Sequence, residues 1–297
     1  MAFKSGFIAV VGRPNVGKST LINKLTGQKV SIVSPRPQTT RNTVRAIITD
    51  EGSQIVLMDT PGIHTPRSKL GEFMVGRAME ALDDADGIVY IAEAADRSPG
   101  KTDLMIIEKL RGMKPPVVLA LNKCDSTDPS RIAEAISNFS RQMEFYDVVP
   151  MSALTGENVD VLLGIIRGML PEGIMYFDPG DYTDQPERVV AAEFIREKIL
   201  LLLRDEIPHG TGVEITTFKD REGKNIIDID AVIYCDKKSH KGMIIGKNGA
   251  MLKKIGTMAR EDLENLLGAR IFLQLWVRVK EDWRNKNTVL RDLGYNK

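Results

Sequence analysis

Short apolar runs alternate with helical patterns through the first half of the chain. The apolar runs cover 7–11, 53–58, 87–92, 117–121 and 147–150, and the helical patterns cover 18–25, 101–110, 130–142 and 158–170. Runs this short, separated by helices, are typical of buried parallel strands with crossover helices. The first half therefore predicts an α/β domain with a mostly parallel sheet, whose ligands bind at the carboxyl ends of the strands.

The second half follows a different rhythm. Its pattern predicts a helix over 188–204, strands over 213–219 and 226–234, a short helix ending at Ile245, a longer helix over 250–267, a strand over 271–279 and a final short helix. The order α-β-β-α-α-β is that of a small α+β domain. Between the halves, residues 171–187 hold three prolines, two glycines and five acids, which is typical of a linker. We predict domains over 1–170 and 188–297.

Length and charge support two domains of different character. The chain has 297 residues, 42% of them hydrophobic, which is enough for two packed cores. The formal net charge is only +1, yet residues 1–187 hold 20 basic and 24 acidic side chains, whereas residues 188–297 hold 21 and 16. The second half is therefore the one that favours a polyanion.

The cellular setting follows from weaker signals. The two cysteines, Cys124 and Cys235, form no disulfide framework and no metal-ligand spacing. No stretch approaches the roughly 18 apolar residues of a membrane span, and the N-terminus runs directly into a strand without room for a signal peptide. We predict a cytoplasmic protein.

A phosphate-binding loop directly precedes the first helical pattern. Its residues are Gly12, Arg13, Pro14, Asn15, Val16, Gly17, Lys18 and Ser19, with Thr20 following. In such a loop the backbone N–H groups and the helix N-terminus converge on phosphate oxygens. We expect Lys18 to reach the β- and γ-phosphates and the Ser19 hydroxyl to ligate Mg²⁺.

Two further motifs follow later strands and identify the base. The first is Asp59, Thr60, Pro61 and Gly62, and the second is Asn122, Lys123, Cys124 and Asp125. We expect Asp59 to hold the metal through water and the Gly62 N–H to meet the γ-phosphate. The Asp125 carboxylate is placed to accept from N1–H and the 2-amino group of guanine, both of which adenine lacks. Backbone N–H groups of Met151, Ser152 and Ala153 are expected to face the guanine O6, so the motifs together predict GTP and GDP as ligands.

These motifs, together with Gln38-Thr39-Thr40-Arg41-Asn42, resemble the branch of the translation-factor-related GTPases that contains Era, EngA and MnmE. The resemblance implies slow GTP hydrolysis and flexible switches over 31–45 and 63–76. It also implies that Thr40, with Thr39 as the alternative, reaches Mg²⁺ and the γ-phosphate in the GTP state.

The residue after Gly62 changes the expected mechanism. Ras-like enzymes carry a glutamine there that orients the attacking water, but this chain has Ile63, which cannot hydrogen-bond water. In relatives with such a replacement, the asparagine that corresponds to Asn15 coordinates K⁺. We therefore expect Lys18, Thr40, Gly62 and Asn15 to serve catalysis, the alternative for Asn15 being that it only satisfies loop backbone.

A basic turn carries the candidate chemistry of the second half. Residues 237–260 contain no acid, and residues 237–254 contain six lysines. Gly246 and Gly249 bound a predicted tight turn between two helices, where glycines let the backbone approach phosphates and lysines supply charge. The expected contact residues are Lys241, Gly242, Ile244, Ile245, Gly246, Lys247, Asn248, Gly249, Lys253 and Lys254. The turn and the element order resemble a type II KH domain, which implies single-stranded RNA of about four nucleotides as the ligand.

A single GTPase domain followed by one type II KH domain resembles the Era family over essentially the whole chain. The resemblance implies a monomer that binds the 3′ end of small-subunit ribosomal RNA during 30S assembly, with no DNA partner and with peripheral membrane contact in some relatives. The alternative is a regulatory GTPase whose basic domain meets a protein or an anionic membrane, where net charge rather than Gly246 and Gly249 decides binding. An ATP-dependent kinase is opposed by Asp125.

Overall fold

The computed structural model describes residues 2–204 and 206–295. The strands are β1 (Lys4–Gly12), β2 (Val44–Thr49), β3 (Ser53–Asp59), β4 (Gly87–Glu93), β5 (Val117–Asn122), β6 (Asp147–Pro150), β7 (Thr211–Asp220), β8 (Ile226–Cys235) and β9 (Arg270–Val279). The helices are α1 (Lys18–Thr26), α2 (Lys69–Asp83), α3 (Lys101–Leu110), α4 (Pro129–Ser140), α5 (Val159–Met169), α6 (Glu187–Leu202), α7 (Lys238–Ile245), α8 (Ala250–Leu267) and α9 (Asn287–Asp292).

The chain divides into two compact units. The first holds Met1–Val33, Thr40–Thr65 and Met74–Asp184, and the second holds Ser34–Thr39, Pro66–Phe73 and Gln185–Lys297. Each unit has its own sheet. No helix in the described part of the chain is long and apolar enough to cross a membrane.

The sheet of the first unit has the strand order β2-β3-β1-β4-β5-β6. The pair β2–β3 is antiparallel, and the other four pairs are parallel. Parallel strands buried on both faces read as continuous apolar runs, and every residue of β5 is buried. The predicted α/β class is confirmed, and the carboxyl ends of β1, β3 and β5 lie at one edge of the sheet, where ligands bind in such folds.

One strand and one helix were missed by the sequence pattern. Strand β2 is only half-buried, because it lies at the sheet edge, and its first residues fall within the stretch predicted to be a flexible switch. Helix α2 begins at Lys69, inside the stretch predicted as the second switch. Its glycines, Gly71 and Gly76, weaken a helical pattern that Ala78, Ala81 and Leu82 nevertheless complete by packing into the core.

The segment predicted to be a linker is partly built into the first unit. The Gln54 side chain accepts from the backbone N–H groups of Tyr176 and Phe177 at 2.7 and 3.0 Å and donates to the Phe177 carbonyl at 2.8 Å. Thr183 forms a backbone bridge with Ala46 of β2. Part of this proline- and glycine-rich segment is therefore hydrogen-bonded to the first sheet, because backbone groups that lie beside a sheet edge form hydrogen bonds there.

The second unit has a three-stranded sheet in the order β7-β8-β9. β7 and β8 are antiparallel with a bulge between Ile215 and Thr217, and β8 and β9 are parallel. Helices α6 and α8 pack against β7 and β9, respectively. The order α-β-β-α-α-β is as predicted, and the α+β class of this half is confirmed.

The core of the first unit gives a stability prediction. Phe139 of α4 is fully buried, 6.3 Å from the ring of Tyr90, among apolar side chains of β4, β5 and α3. Phe139→Ala leaves a cavity, and we expect it to cost about 3–5 kcal/mol of unfolding free energy. Urea unfolding followed by circular dichroism measures this cost.

Two controls accompany that measurement. Both tryptophans, Trp276 and Trp283, lie in the second unit, so their fluorescence follows that unit separately. Tyr146→Ala removes an aromatic ring that is 57% exposed, and we expect a change below about 1 kcal/mol. Equal effects of the two substitutions would contradict the assigned packing.

Candidate nucleotide site and nucleic-acid interface

Asn122, at the end of β5, joins two loops at the carboxyl edge of the sheet. Its side-chain amide donates to the Val16 carbonyl of the phosphate loop at 2.7 Å, and its carbonyl oxygen accepts from the Ala153 N–H at 2.9 Å. The side chain is only 3% exposed. A residue predicted to contact nucleotide thus positions the phosphate loop and the loop after β6 against each other.

The phosphate loop wraps around the Lys18 side chain. The Lys18 ammonium donates to the carbonyls of Gly12 and Arg13 at 3.2 and 2.9 Å and is 6% exposed. Burial lowers the pKa of Lys18 to about 8, while the nearby Asp59 carboxylate acts in the opposite direction. A desolvated ammonium held in a ring of carbonyls is suited to an anion with several oxygens, because phosphate restores the lost solvation.

Three oxygen-bearing side chains meet next to Lys18. The Ser19 hydroxyl lies 2.7 Å from Oδ2 of Asp59 and 3.0 Å from Oγ1 of Thr40, and Thr40 lies 3.3 Å from the same carboxylate oxygen. Oδ1 of Asp59 is buried and has no hydrogen-bond partner among the described residues. Burial raises the pKa of Asp59. The Thr39 hydroxyl instead donates to the Arg36 carbonyl, so the structure places Thr40 in this cluster.

The loop after β3 lies directly against the phosphate loop. A Cβ added at Gly62 would stand 2.7 Å from the backbone nitrogen of Pro14, so only glycine fits this approach. The Ile63 N–H donates to the Gly12 carbonyl at 3.1 Å, and the Ile63 side chain is 2% exposed within the apolar core. Ile63 therefore neither orients water nor faces the site.

The base-recognition side differs in one detail from the prediction. Asp125 is exposed in a short 3₁₀ turn over Cys124–Ser126, and Lys123 precedes it in a left-handed conformation with φ 68°. However, the Ser152 N–H donates to Glu157 at 3.0 Å, and the Ala153 N–H donates to Asn122. These two N–H groups were expected to face guanine O6, but they donate hydrogen bonds within the protein instead, as buried amides usually do.

The same correction applies to Met151. Its N–H donates to the Leu121 carbonyl at 2.8 Å. None of the three N–H groups expected to face O6 is therefore without an acceptor.

An ion-pair network behind the phosphate loop was not predicted. Nε of Arg13 lies 3.0 Å from Oδ1 of Asp103, and its guanidinium also pairs with Asp96. Asp103 is fully buried and accepts from the Tyr90 hydroxyl at 2.9 Å and the Gly100 N–H at 3.1 Å, while burial raises the pKa of Tyr90. Asp96 and Asp103 lie more than eighty positions from Arg13 along the chain, so no local motif indicates the pairing.

Three further residues of these motifs use their side chains to stabilise the loops. Val16 is fully buried in the core, and the Thr60 hydroxyl donates to the Val10 carbonyl at 2.7 Å. Lys123 pairs with Glu93 at the end of β4. The side chains of these residues are thus committed to holding loop shape.

The turn between α7 and α8 has the backbone that was predicted. Gly246, Asn248 and Gly249 adopt φ values of 72°, 52° and 79°. A Cβ at Gly246 would stand 2.7 Å from Cβ of Met251, so this position excludes side chains by space as well as by conformation. α8 begins at Ala250 with no acidic residue in its first turn, which leaves the positive end of its dipole facing the turn.

The side chains around this turn divide into exposed and buried sets. Lys247, Asn248, Lys253 and Lys254 are exposed. Ile244 is fully buried, which corrects its prediction as an RNA contact: its side chain packs in the core. Met243, one residue earlier, is 54% exposed and was missed, because an isolated methionine gives no sequence signal.

The first unit is that of a GTP-binding P-loop protein, because its α/β sheet carries a phosphate loop, a cluster of oxygen ligands suited to a metal ion and a guanine-recognition motif. The second unit has the element order and the glycine turn of a KH domain. A family model described as "50S ribosome-binding GTPase" matches residues 7–123, and a "KH domain" model matches residues 206–284. GTPase Era of Ruminiclostridium cellulolyticum is 52% identical over 295 residues, which span 99% of this chain and 98% of the relative. GTPase Era of Clostridioides difficile is 53% identical, with 99% of each chain covered.

Solved structures agree with this similarity. Era in complex with MgGDPNP and nucleotides 1506–1542 of 16S ribosomal RNA superposes with a TM-score of 0.95 at 39% identity, covering 99% of this chain and 100% of that one. A variant of Aquifex aeolicus Era bound to GDP·AlF4⁻ gives the same TM-score at 38% identity and the same coverage. The chain belongs to the Era family of GTPases, and it is a GTPase.

Base selection by Asp125 can be tested with a conservative change. Asp125→Asn replaces one acceptor by a donor, which suits the 2-oxo group of xanthine and opposes the 2-amino group of guanine. We expect GDP affinity to fall at least about 100-fold and xanthosine diphosphate affinity to rise. Calorimetric titration measures both.

The matched control is Asp128→Asn, which changes another exposed acid three residues later. We expect it to leave both affinities unchanged. Retention of GDP affinity by Asp125→Asn would show that this residue does not recognise the base.

Proposed function

We propose that the protein is a GTP-hydrolysing switch that binds the 3′ end of small-subunit ribosomal RNA and acts in assembly of the 30S subunit. The convergence of Lys18, Ser19, Thr40 and Asp59 supports the nucleotide-dependent part. The exposed basic turn at Gly246–Gly249 supports the RNA-binding part. The Era structure that holds both a GTP analogue and 16S ribosomal RNA supports their combination in one molecule.

The oxygen cluster fits Mg²⁺. Hydroxyls of Ser19 and Thr40 and the carboxylate of Asp59 are hard oxygen ligands, and the buried Oδ1 of Asp59 has no hydrogen-bond partner among the described residues. When bound, Mg²⁺ would neutralise charge on the β- and γ-phosphate oxygens. Ser19 and Thr40 would hold it directly and Asp59 through water. Since Thr40 belongs to the first switch, its contact would depend on the third phosphate.

The chain's own groups would supply the rest of catalysis. Lys18 would hold the β- and γ-phosphates, and the backbone at Gly62 would place its N–H against the γ-phosphate. Ile63 is buried and contributes no water contact. We propose that Asn15, exposed in the phosphate loop with φ 66°, helps to hold K⁺ beside the phosphates, and that turnover without a partner is slow.

The RNA-binding part rests on backbone access and charge. Gly246 and Gly249 expose the turn, and the N-terminus of α8 and the exposed lysines favour phosphates. We propose that about four nucleotides lie across this turn, with Ile245 and Met243 offering apolar contact to bases. Action as a cytoplasmic monomer, peripheral membrane contact and the domain bounds 1–170 and 188–297 stay predictions.

The role of Asn15 gives a sharp test. Asn15→Gly removes the carboxamide while glycine accepts φ 66° without strain. We expect GTP hydrolysis in K⁺ to fall at least about tenfold, toward the rate in Na⁺, with GDP affinity nearly unchanged. Single-turnover hydrolysis in KCl and NaCl measures this. Equal wild-type rates in the two salts would end the potassium proposal.

The RNA site can be tested without disturbing the glycines. Gly246→Asp would be ambiguous, because a side chain there collides with Met251. Lys247→Asp together with Asn248→Asp places two negative charges on exposed positions, and aspartate tolerates the left-handed conformation of Asn248. We expect affinity for a pyrimidine-rich RNA from the small-subunit 3′ end to fall at least about 100-fold.

A charge-matched control separates RNA recognition from general attraction. Lys109→Asp together with Lys114→Gln makes the same change of −3 in net charge, at exposed positions of α3 and of the turn that follows it. We expect this variant to bind nearly as the wild type does. Equal losses in both variants would favour a partner that responds only to net charge, such as an anionic membrane.

A further inference from the structure

Strand β9 presents aromatic and basic side chains on the outward side of the second sheet. Its burial alternates: Ile271 and Val277 are 5% and 7% exposed, whereas Phe272 and Trp276 are 46% and 45% exposed. Successive side chains of a strand point to opposite faces, so one row consists of Arg270, Phe272, Gln274, Trp276 and Arg278. Two half-exposed aromatic rings on one row with two arginines make this face a candidate interaction surface, because the combination offers both stacking and charge.

The opposite, inward face of β9 packs against the two helices that flank the basic turn. Both α7 and α8 contact β9. A Cβ added at Gly256 of α8 would lie 3.4 Å from Cδ1 of Leu275, so the inward row packs closely under the helix. In the described part of the chain β9 pairs with β8 alone and is an edge of the sheet. RNA that leaves the turn has to pass around this edge strand to reach the outward row.

The charges of the row favour a polyanion. Arg270 and Arg278 are exposed at its two ends, and the row contains no acid. On the neighbouring strand, Asp228 is paired with Arg221 at 2.6 Å, and Arg221 lies 5.1 Å over the ring of Phe272. Asp230 of β8 lies beside Gln274 of β9 in the register. The negative charge of Asp230 repels a polyanion, so we expect the polyanion to lie on β9 rather than on β8.

We propose that β9 is a second RNA subsite, where single-stranded RNA emerging from the Gly246–Gly249 turn stacks bases on Phe272 and Trp276. Arg270 and Arg278 hold the flanking phosphates. The two rings are about 13 Å apart along the strand, so they take bases that are not adjacent. Aromatic faces accept any base, and only an unpaired strand offers base faces to them. This inference rests on the proposed RNA-binding function of the turn.

The experiment compares two lengths of RNA. One pyrimidine strand of about five nucleotides fills the turn alone, and one of about twelve nucleotides also reaches β9. The variant is Phe272→Leu with Trp276→Leu in the full-length protein, which keeps apolar side chains at both positions. We expect affinity for the longer RNA to fall at least about tenfold and affinity for the shorter RNA to stay within about twofold.

Two controls make the outcome specific. Tyr146→Leu changes an exposed aromatic ring of the first unit, and we expect no effect on either RNA. Trp276 also provides a direct signal, because a stacked base quenches tryptophan emission. We expect the longer RNA to quench the wild type, and the shorter RNA, or the longer RNA with Trp276→Phe, to quench much less.

The possible results separate this inference from the function on which it rests. Equal wild-type affinities for the two lengths, or equal losses in the leucine variant for both, would overturn the subsite and leave the turn intact. Unchanged binding of both lengths by Lys247→Asp with Asn248→Asp would overturn the RNA-binding function itself. A change of sedimentation coefficient in the leucine variant with unchanged RNA affinity would assign β9 to self-association instead.

Discussion

The nucleotide site depends on one buried side chain that connects loops distant in sequence. Asn122 satisfies the Val16 carbonyl and the Ala153 N–H together, and both are groups that would be costly to leave unpaired. Because these bonds fix the phosphate loop relative to the guanine motif, the spacing between phosphate and base recognition is a property of the fold. The two loops are therefore held at a set distance from each other by the protein alone.

The loop after β3 is also fixed against the phosphate loop, on the side where the third phosphate is expected. Gly62 lies against Pro14 with no room for a side chain, and the Ile63 N–H is bonded to Gly12. Ile63 then turns into the core, which stabilises the loop but removes the position that orients water in Ras-like enzymes. The packing that fixes this loop is therefore also the reason that catalytic charge must come from elsewhere.

Much of this architecture is readable from the sequence, and the exceptions share a cause. Strands such as β5 and the glycines of the turn after α7 carry local signals, because burial and positive φ restrict residue type directly. The pairing of Arg13 with Asp103 depends on a partner far along the chain, and the burial of Ile244 depends on how α7 packs against its neighbouring elements. The engagement of the Ala153 N–H by Asn122 is equally non-local, since a motif shows which groups are present but not which partners they have taken.

The two candidate ligand sites share a glycine before a helix N-terminus, but they differ in how deeply their lysine side chains are buried. In both, a glycine in the left-handed region directly precedes a helix: Gly17 before α1, with φ 102°, and Gly249 before α8, with φ 79°. Helix N-termini attract phosphate in either case. Lys18 is buried, so its interaction with a phosphate is strong, and there is room beside it for one small anion only. Lys253 and Lys254 are exposed, so solvent and salt weaken their interaction with phosphates. The first arrangement suits a single nucleotide held tightly, and the second suits a chain of phosphates whose sequence must be read by other contacts.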